Sequence, residues 1–408
     1  MNETEKHFEE YIENYLISPE GGWMKATDMG YCSDESRGMS LDIITLTDFV
    51  RLTQPMAWRR FERMCTISPI RQFYKAFENS VTQDGLISVL RHGFKHRGIT
   101  FRVCYFKPES ELNKPANEHY RQNVCQCIRQ WHYTEANNNS IDMMLAINGI
   151  PVVAIELKNQ LTGQSVDDAK RQWAYNRNPK DPAFGFNKRI LAYFACDLYD
   201  VYMTTKLDGA STVFLPFNQG SNGLGKDGGA GNPRDDKHDY VTEYFWRNVL
   251  QKDKLLDILQ KFISFERTEK KKVMPNGSTE TTISTKVIFP RYHQLDVVRK
   301  LVNHVRENGA GHNYLIQHSA GSGKSNSIAW TAYRMASLHD ENSNPVFDSV
   351  IIVTDRRVLD QQLQATVSGF DHTLGSVVTI DEKKNSGDLR DAINAGKRII
   401  ISTLQKFP

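Results

Sequence analysis

An acid and a base end the apolar run PVVAIELK, and their spacing suits the hydrolysis of a phosphodiester. Side chains two positions apart in a strand share a face, so Glu156 and Lys158 project together. Their burial costs free energy unless they have partners, and Asp142 in the preceding apolar run is a candidate. Two carboxylates without an adjacent arginine offer oxygen ligands to Mg²⁺, which polarises a phosphodiester oxygen, while Lys158 holds the attacking water. The alternative is a structural salt bridge between Glu156 and Lys158.

The geometry of a predicted hairpin decides whether these side chains meet. Apolar runs at 141–147 and 152–157 flank the turn sequence Asn148-Gly149-Ile150-Pro151. A two-residue loop sets Asp142 opposite Ile155, whereas a three-residue loop or a one-residue bulge sets it opposite Glu156. Because Pro151 has no N–H, we favour the longer loop.

A second motif, HSAGSGKS at 318–325, has the order of a Walker A phosphate loop. A predicted strand, Asn313–Gln317, precedes it and a helical pattern follows, although His318 stands where the pattern has glycine. Lys324 would reach the β- and γ-phosphates of ATP and Ser325 would bind Mg²⁺. Backbone N–H groups of the glycine turn would surround phosphate. The predicted nucleotide-binding residues of this loop are Gly321, Ser322, Gly323, Lys324 and Ser325.

The segments around this loop resemble those of superfamily 2 helicases. Gln294 stands where these helicases have a glutamine that reads adenine, and residues 350–362 resemble their motif Ia. The resemblance implies that Gln294 contacts adenine. It also implies that Thr354, Arg356 and Arg357 contact DNA phosphates. The alternatives are a polar helix start at Gln294 and solvated arginines on a loop.

The first motif resembles the core of PD-(D/E)xK nucleases. Asp142 is followed fourteen positions later by Glu156-x-Lys158, although Ile141 replaces the usual proline. The stretches 106–113, 137–164 and 202–209 resemble the restriction (R) subunit of type I restriction–modification enzymes.

That family carries a Gln and a Tyr on the helix after the nuclease core. Gln172 and Tyr175 match these residue types, at a spacing of three rather than four. The resemblance implies catalytic roles for both near the cleaved strand, and the alternative is a helix surface with Trp173 packed inward. An additional acid from the first helix, Glu9 or Glu13, is a further candidate for binding the metal.

The resemblance implies an α/β chain with a PD-(D/E)xK nuclease domain followed by a partial RecA-like P-loop helicase lobe. The nuclease domain is predicted over residues 1–265, a linker over 266–286 and the first part of the helicase lobe over 287–408. Because the chain stops within that lobe, we expect it not to translocate DNA. An ATP motor also needs an acid-bearing strand that orients Mg²⁺ and water. The Asp381-Glu382 pair resembles such a motif, but we reject this assignment because a helix–strand unit follows the pair directly.

The implied function is Mg²⁺-dependent endonucleolytic cleavage of double-stranded DNA, coupled in the full-length protein to ATP-driven translocation. The expected partners are the methyltransferase (M) and specificity (S) subunits, with S-adenosylmethionine bound only through the M subunit. Two other functions stay open: a non-cleaving ATP-dependent DNA translocase, and a nucleotide-switched interaction module.

Local patterns predict the elements that position these residues. Ser165 opens a helix that Asp168 caps, residues 189–196 and 201–204 form strands, and residues 244–265 form one amphipathic helix. The glycine-rich stretch 219–233 contains GLGK, but no apolar strand leads into it. We interpret it as a surface loop rather than a second phosphate loop.

Composition describes an ordinary globular protein. The chain has 408 residues, 39% hydrophobic and 24% charged, with a net charge of +3 that neither demands nor excludes nucleic acid. No apolar run reaches about 18 residues, so no membrane span is expected. Six scattered cysteines without a CxxC pair indicate a reducing cytosol, and we interpret Cys125 and Cys127 as packing thiols rather than metal ligands.

Overall fold

The computed structural model comprises two compact units, Met1–Ile263 and Ser264–Pro408. It describes residues 3–26, 36, 38–109, 112–220, 230–234, 237–273, 279–340, 342, 344–355, 366–367, 377–380 and 383–407. For residues 3–4, 267–273 and 279–283 only the backbone is described. No helix within these ranges is both long and apolar enough to cross a membrane.

A seven-stranded mixed sheet organises the first unit. Its strand order is β1-β4-β5-β6-β7-β8-β9, in which β1–β4 and β6–β7 are parallel pairs and the others are antiparallel. A separate hairpin joins β2 to β3. The strands are β1 (Met24–Ala26), β2 (Phe94–His96), β3 (Ile99–Phe101), β4 (Cys125–His132), β5 (Ser140–Ile147), β6 (Ile150–Leu157), β7 (Ala192–Cys196), β8 (Val201–Thr204) and β9 (Leu215–Pro216).

The first and the seventh helix pack on this sheet, and helices of this unit begin where the sequence supplies an apolar face and a cap. The Asp42 side chain accepts hydrogen bonds from the first turn of α2, and the predicted capping box of Ser165 and Asp168 starts α7. Trp173 of α7 is buried, and its indole N–H donates to the Phe194 carbonyl. The helices are α1 (Glu3–Leu16), α2 (Ile43–Thr53), α3 (Pro55–Glu62), α4 (Pro69–Asp84), α5 (Leu86–His92), α6 (Lys114–Arg121), α7 (Val166–Tyr175) and α8 (Lys252–Lys261).

One predicted helix is divided in two. Residues 244–265 were expected to form a single helix, but Phe245–Leu250 is π-helical and α8 starts at Lys252. Gln251 between them has ψ 135°, an extended value that ends the first segment. Its side chain then accepts a hydrogen bond from the Lys254 N–H and caps α8.

The β5–β6 hairpin has a two-residue loop and a bulge, so the prediction of a longer loop is wrong and the bulge alternative is correct. Asn148 (φ 51°) and Gly149 (φ 80°) are both left-handed, as a tight primed turn requires. Ala146 pairs with Pro151 but Leu145 pairs with Val153, so one residue of β6 is extra. Because Pro151 has no N–H to donate, the ladder is interrupted beside it.

Gly149 is expected to be sensitive to substitution. A Cβ there would lie 2.2 Å from the Asp42 carbonyl oxygen, in a left-handed conformation. Gly149→Ala should therefore lower the free energy of unfolding by more than about 2 kcal/mol. Gly163→Ala is the control, because Gly163 is also left-handed (φ 78°) but a Cβ there meets nothing within 4 Å. Urea unfolding measures both, and equal losses would show that the contact with Asp42 is unimportant.

The second unit contains a three-stranded parallel sheet of order β12-β14-β13. Two paired antiparallel strands, β10 and β11, stand where the sequence predicts a linker over 266–286. The helices and strands of the second unit are β10 (Ser264–Val273), β11 (Thr279–Ile288), α9 (Tyr292–Asn308), α10 (Lys324–Ala336), β12 (Val350–Thr354), β13 (Val377–Ile380), α11 (Ser386–Asn394) and β14 (Ile399–Thr403).

The strand predicted before the phosphate loop is not formed. Residues 313–317 are neither helix nor strand, and Leu315 is 95% exposed. No strand among the described residues pairs with this segment, and an apolar segment without a ladder partner cannot satisfy its backbone as a strand.

Candidate functional site

Asp142 and Glu156 meet across the β5–β6 hairpin. The register of the hairpin pairs Met143 with Ile155, and one further step sets Asp142 beside Glu156. The Asp142 carboxylate accepts a hydrogen bond from the Leu157 N–H at 2.7 Å. Glu156 is fully buried, and its carboxyl group contacts that of Asp142. Burial, and then the negative charge of Asp142, hold the pKa of Glu156 well above its ordinary value.

An arginine that the sequence analysis missed binds Glu156, so the expectation of carboxylates without an adjacent arginine is wrong. The Arg177 Nε donates to Glu156 Oε1 at 3.0 Å, and Nη2 donates to the same oxygen. Arg177 lies two residues beyond α7 and 21 positions from Glu156, so no local spacing indicated the pair. A partner for Glu156 could have been expected on energetic grounds, because a buried carboxylate is costly unless a cation or a hydrogen-bond donor contacts it.

The second carboxylate oxygen of Glu156 lacks such a donor. Oε2 is buried and accepts no hydrogen bond from any N–H or hydroxyl group in the described part of the chain. A buried anionic oxygen beside a second carboxyl group is costly unless a proton or a cation reaches it. The site therefore retains an open position for a positive charge.

Lys158 directly follows β6, and its predicted convergence with Asp142 and Glu156 stays a prediction. Its backbone N–H donates to the Cys196 carbonyl, which prolongs the β6–β7 ladder by one residue. Its Nζ lies 3.2 Å from an oxygen of Glu5 on α1. Both side chains of this pair are largely buried. The ammonium group is thus held by α1 rather than by Glu156, and the structural Glu156–Lys158 salt bridge is not formed.

Helix α1 faces the site with acids spaced four residues apart. Glu9 binds Arg129 at 3.0 Å and Gln130 at 2.9 Å, and the same Gln130 amide lies 3.3 Å from Asp142. Glu13 binds Lys25 at 2.8 Å and Arg129 at 3.4 Å. Of the two acids named from the sequence, Glu9 is the one next to Asp142. Within the residues described, no three His, Cys, Asp or Glu side chains are grouped to hold a metal, because Gln130 separates Glu9 from Asp142.

The protonation of Glu9 is expected to make stability depend on pH. Burial and the charge of Asp142 raise the pKa of Glu9 from 4.5 to about 7 in the folded protein. Between pH 4.5 and pH 7 the folded state keeps a proton on Glu9 that the unfolded state releases. The contribution of Glu9 to the free energy of unfolding is therefore complete below pH 4.5 and is lost as the pH rises to 7. The loss is on the order of 3 kcal/mol. Urea unfolding with EDTA at pH 5 and pH 8 should show a smaller change for Glu9→Gln than for the wild type; equal changes would contradict this.

A polar cleft of about 550 Å³ opens beside the carboxylates. Gln172 lines it, as its predicted role requires, whereas Tyr175 is 69% exposed and does not. Tyr175 lies two residues beyond buried Trp173, and two residues rotate about 200° around a helix, so its side chain points away from the core. The lining residues are Asn138, Asn139, Ser140, Asp142, Gln172, Asn176 and Arg177.

The phosphate loop of the second unit has the backbone that its glycines predict. Gly321 (φ 73°) and Gly323 (φ 80°) are left-handed, and α10 begins at Lys324. The Lys324 Nζ donates to the Ser319 carbonyl at 2.9 Å, so the ammonium group lies over the loop. Ser325 occupies the first turn of α10. The Ser322 hydroxyl is buried and bonds to no group within the described ranges.

Gln294 contacts this loop directly. Its amide N–H₂ donates to the carbonyls of Gly323 at 2.9 Å and Ser322 at 3.2 Å, while its Oε1 accepts from the Arg291 N–H. Gln294 is therefore buried and stabilises the loop through its hydrogen bonds, and its predicted contact with adenine stays a prediction. Thr354 ends β12. The predicted DNA contacts Arg356 and Arg357, the GLGK sequence at 223–226 and Asp381-Glu382 lie outside the described residues.

Comparison with known proteins confirms the resemblance to R subunits. Residues 55–212 match the family model of the type I restriction enzyme R protein N terminus, and residues 293–408 match the SWI2/SNF2 ATPase family. The type I restriction enzyme HindI endonuclease subunit of Haemophilus influenzae is 26% identical over 270 residues, 65% of this chain and 23% of that protein. The putative type I restriction enzyme MjaVIIIP endonuclease subunit of Methanocaldococcus jannaschii is 25% identical over 299 residues, 67% of this chain and 25% of that protein. The chain spans about a quarter of the length of these relatives.

Proposed function

We propose that this chain, which matches the N terminus of type I restriction enzyme R proteins and, in a separate region, the SWI2/SNF2 ATPase family, contains a Mg²⁺-dependent endonuclease of the PD-(D/E)xK class that cuts double-stranded DNA. The observation that carries the proposal is the buried Glu156 oxygen that has no donor within the described ranges, next to the Asp142 carboxyl group. A divalent cation is the partner that such a pair of carboxylates accommodates best.

The residues at the hairpin fit Mg²⁺ in both charge and atom type. Asp142 and Glu156 would hold the ion through carboxylate oxygens, with Glu9 close enough to add another after a side-chain movement. The bound ion would polarise a phosphodiester oxygen and lower the pKa of water. Both carboxylates must be ionised to bind it, so binding should strengthen as the pH rises.

The remaining residues of the cleft suit a nucleic-acid phosphate. Lys158 does not line the cleft and is paired with Glu5, so it would have to turn toward the hairpin to orient the attacking water and offset charge on the pentacovalent phosphate. Gln172 lines the cleft with two donors for a phosphate oxygen. Tyr175, although outside the cleft lining, is exposed and can contact the same DNA outside it.

For the second unit we propose ATP binding with Mg²⁺, through the backbone of Gly321, Ser322 and Gly323 and the side chains of Lys324 and Ser325. Gln294 would contact the adenine, and Thr354, Arg356 and Arg357 would contact DNA phosphates. In the whole protein this site would drive DNA translocation. The M and S subunits would be its partners, and S-adenosylmethionine would bind only to the M subunit.

A non-cleaving translocase is less well supported than a nuclease. In a purely structural role, the buried Glu156 oxygen, which has no donor among the described residues, would need a proton shared with the Asp142 carboxyl group. A nucleotide-switched module would leave the polar cleft at the hairpin without a use.

The proposal is tested by two measurements on the 408-residue chain. Mn²⁺ or Mg²⁺ should bind at a site that Asp142→Asn removes, and either ion should support nicking of supercoiled DNA that EDTA abolishes. If the chain neither binds divalent ions in an Asp142-dependent way nor nicks DNA with them, the nuclease assignment is wrong.

A further inference from the structure

Arg177 is a buried cation at the edge of the polar cleft. Only 3% of its side chain is exposed, against 0% for that of Glu156. It also lines the cleft together with Asp142 and Gln172. The guanidinium group therefore borders both the buried carboxylate and the space that a ligand would enter.

The contact between Arg177 and Glu156 uses only one carboxylate oxygen. Arginine commonly binds a carboxylate with two parallel hydrogen bonds, one to each oxygen. Here both Nε and Nη2 donate to Oε1, and Oε2 receives no donor from the described residues. Because both hydrogen bonds go to Oε1, Oε2 remains available to a second positive charge.

Arg177 has other partners that do not depend on Glu156. Its Nη2 donates to the Ser140 carbonyl at 2.6 Å, and its Nη1 lies 3.5 Å from the Tyr133 hydroxyl. The guanidinium carbon lies 5.3 Å from the ring centre of Tyr133 and 5.9 Å from that of Trp173. These contacts would keep the group at the cleft after its bonds to Glu156 are released.

We propose that Arg177 is a positioning residue that holds the Glu156 carboxylate without a divalent ion and competes with that ion for the same carboxylate. The proposal rests on the nuclease function proposed above. Two cations cannot share one buried carboxylate without mutual repulsion, so binding of the ion weakens the bonds from Arg177 and the presence of Arg177 weakens binding of the ion. The released guanidinium then faces the cleft, where a DNA phosphate is an anionic partner for it.

The test is a titration of the wild-type chain and Arg177→Gln with Mn²⁺ by calorimetry. Arg177 also lowers the pKa of Glu156, so the comparison is made at a pH that ionises Glu156 in both proteins. Without the competing charge, Arg177→Gln should then bind Mn²⁺ about tenfold more tightly than the wild type. Arg189→Gln is the matched control, because Arg189 is an equally buried arginine paired with Glu78 in the same unit. The Arg189→Gln variant should lose about as much stability as Arg177→Gln but bind Mn²⁺ like the wild type. A merely structural Arg177 would behave like Arg189.

Each outcome decides between the two proposals. If the wild type binds Mn²⁺ in an Asp142-dependent way and Arg177→Gln binds it equally or more weakly, the competition proposal is wrong and the nuclease function stands. If no Asp142-dependent Mn²⁺ binding is found in any folded variant, the nuclease function itself is wrong.

A second measurement needs no folded Arg177→Gln variant. The Arg177 Nε–H, which donates to Glu156, should exchange slowly with water in the wild-type chain, and its NMR signal can be assigned by its loss in Arg177→Lys. Saturating Ca²⁺ should accelerate this exchange severalfold, because the hydrogen bond is released. Unchanged exchange at saturating Ca²⁺ would overturn the proposal.

Discussion

Asp142→Asn is expected to lower divalent-dependent DNA cleavage by about a thousandfold or more while leaving the fold intact. The amide keeps the shape of the carboxylate, and its oxygen can still accept the hydrogen bond from the Leu157 N–H. It also removes one of two negative charges that repel each other across the hairpin, so folding should not be weakened. The effect on cleavage would therefore report the loss of a metal ligand rather than the loss of structure.

The rate of nicking of supercoiled DNA in Mn²⁺ measures this effect, and Lys158→Met should lower the same rate comparably. Lys170→Met is the matched control, since Asp168-Ala169-Lys170 has the same acid-x-lysine spacing but lies on α7. Lys170 pairs with Asp167 at the surface, and its substitution should leave the rate near that of the wild type. Full activity of Asp142→Asn would remove the chemical basis of the nuclease assignment.

Lys324→Ala is expected to weaken the binding of Mg²⁺·ATP to the second unit by roughly 10- to 100-fold, the size of one hydrogen bond to a charged group. Among the described residues, the Lys324 ammonium binds carbonyls of its own loop, so a phosphate would be a stronger partner. Because this side chain is exposed, its truncation should not change the stability of the fold.

Titration of the chain with a fluorescent ATP analogue measures this affinity. Lys300→Ala is the control, because Lys300 is an exposed lysine of the same unit, paired with Asp296 on α9. Equal affinities of Lys324→Ala and Lys300→Ala would contradict the assignment of the phosphate loop.

Local sequence signals predicted the hairpin, although not the length of its loop. The Asn148-Gly149 turn, the two apolar runs and the capping box of α7 depend on residues within a few positions of one another, and each is present. The position of the extra residue was not predictable, because a longer loop and a bulge both set Asp142 opposite Glu156. Only the ladder distinguishes them, and Pro151 shifts the irregularity into β6.

Contacts between distant segments explain what the sequence did not reveal. Arg177 reaches Glu156 from beyond α7, and Glu5 reaches Lys158 from the first helix, so neither pair has a spacing signal. Residues 313–317 have a strand-like sequence, but a strand forms only against a neighbouring strand. The PD-(D/E)xK class and the predicted roles of Gln172 and Gln294 remain proposals.

The most direct test of the nuclease assignment is a crystal structure of the 408-residue chain grown with Mn²⁺, in which anomalous scattering locates the ion. We predict an ion bound by both Asp142 and Glu156, with the Arg177 guanidinium moved from Glu156 toward the cleft. A structure at saturating Mn²⁺ with no ion between these two carboxylates, and with Arg177 still bonded to Glu156, would contradict the account.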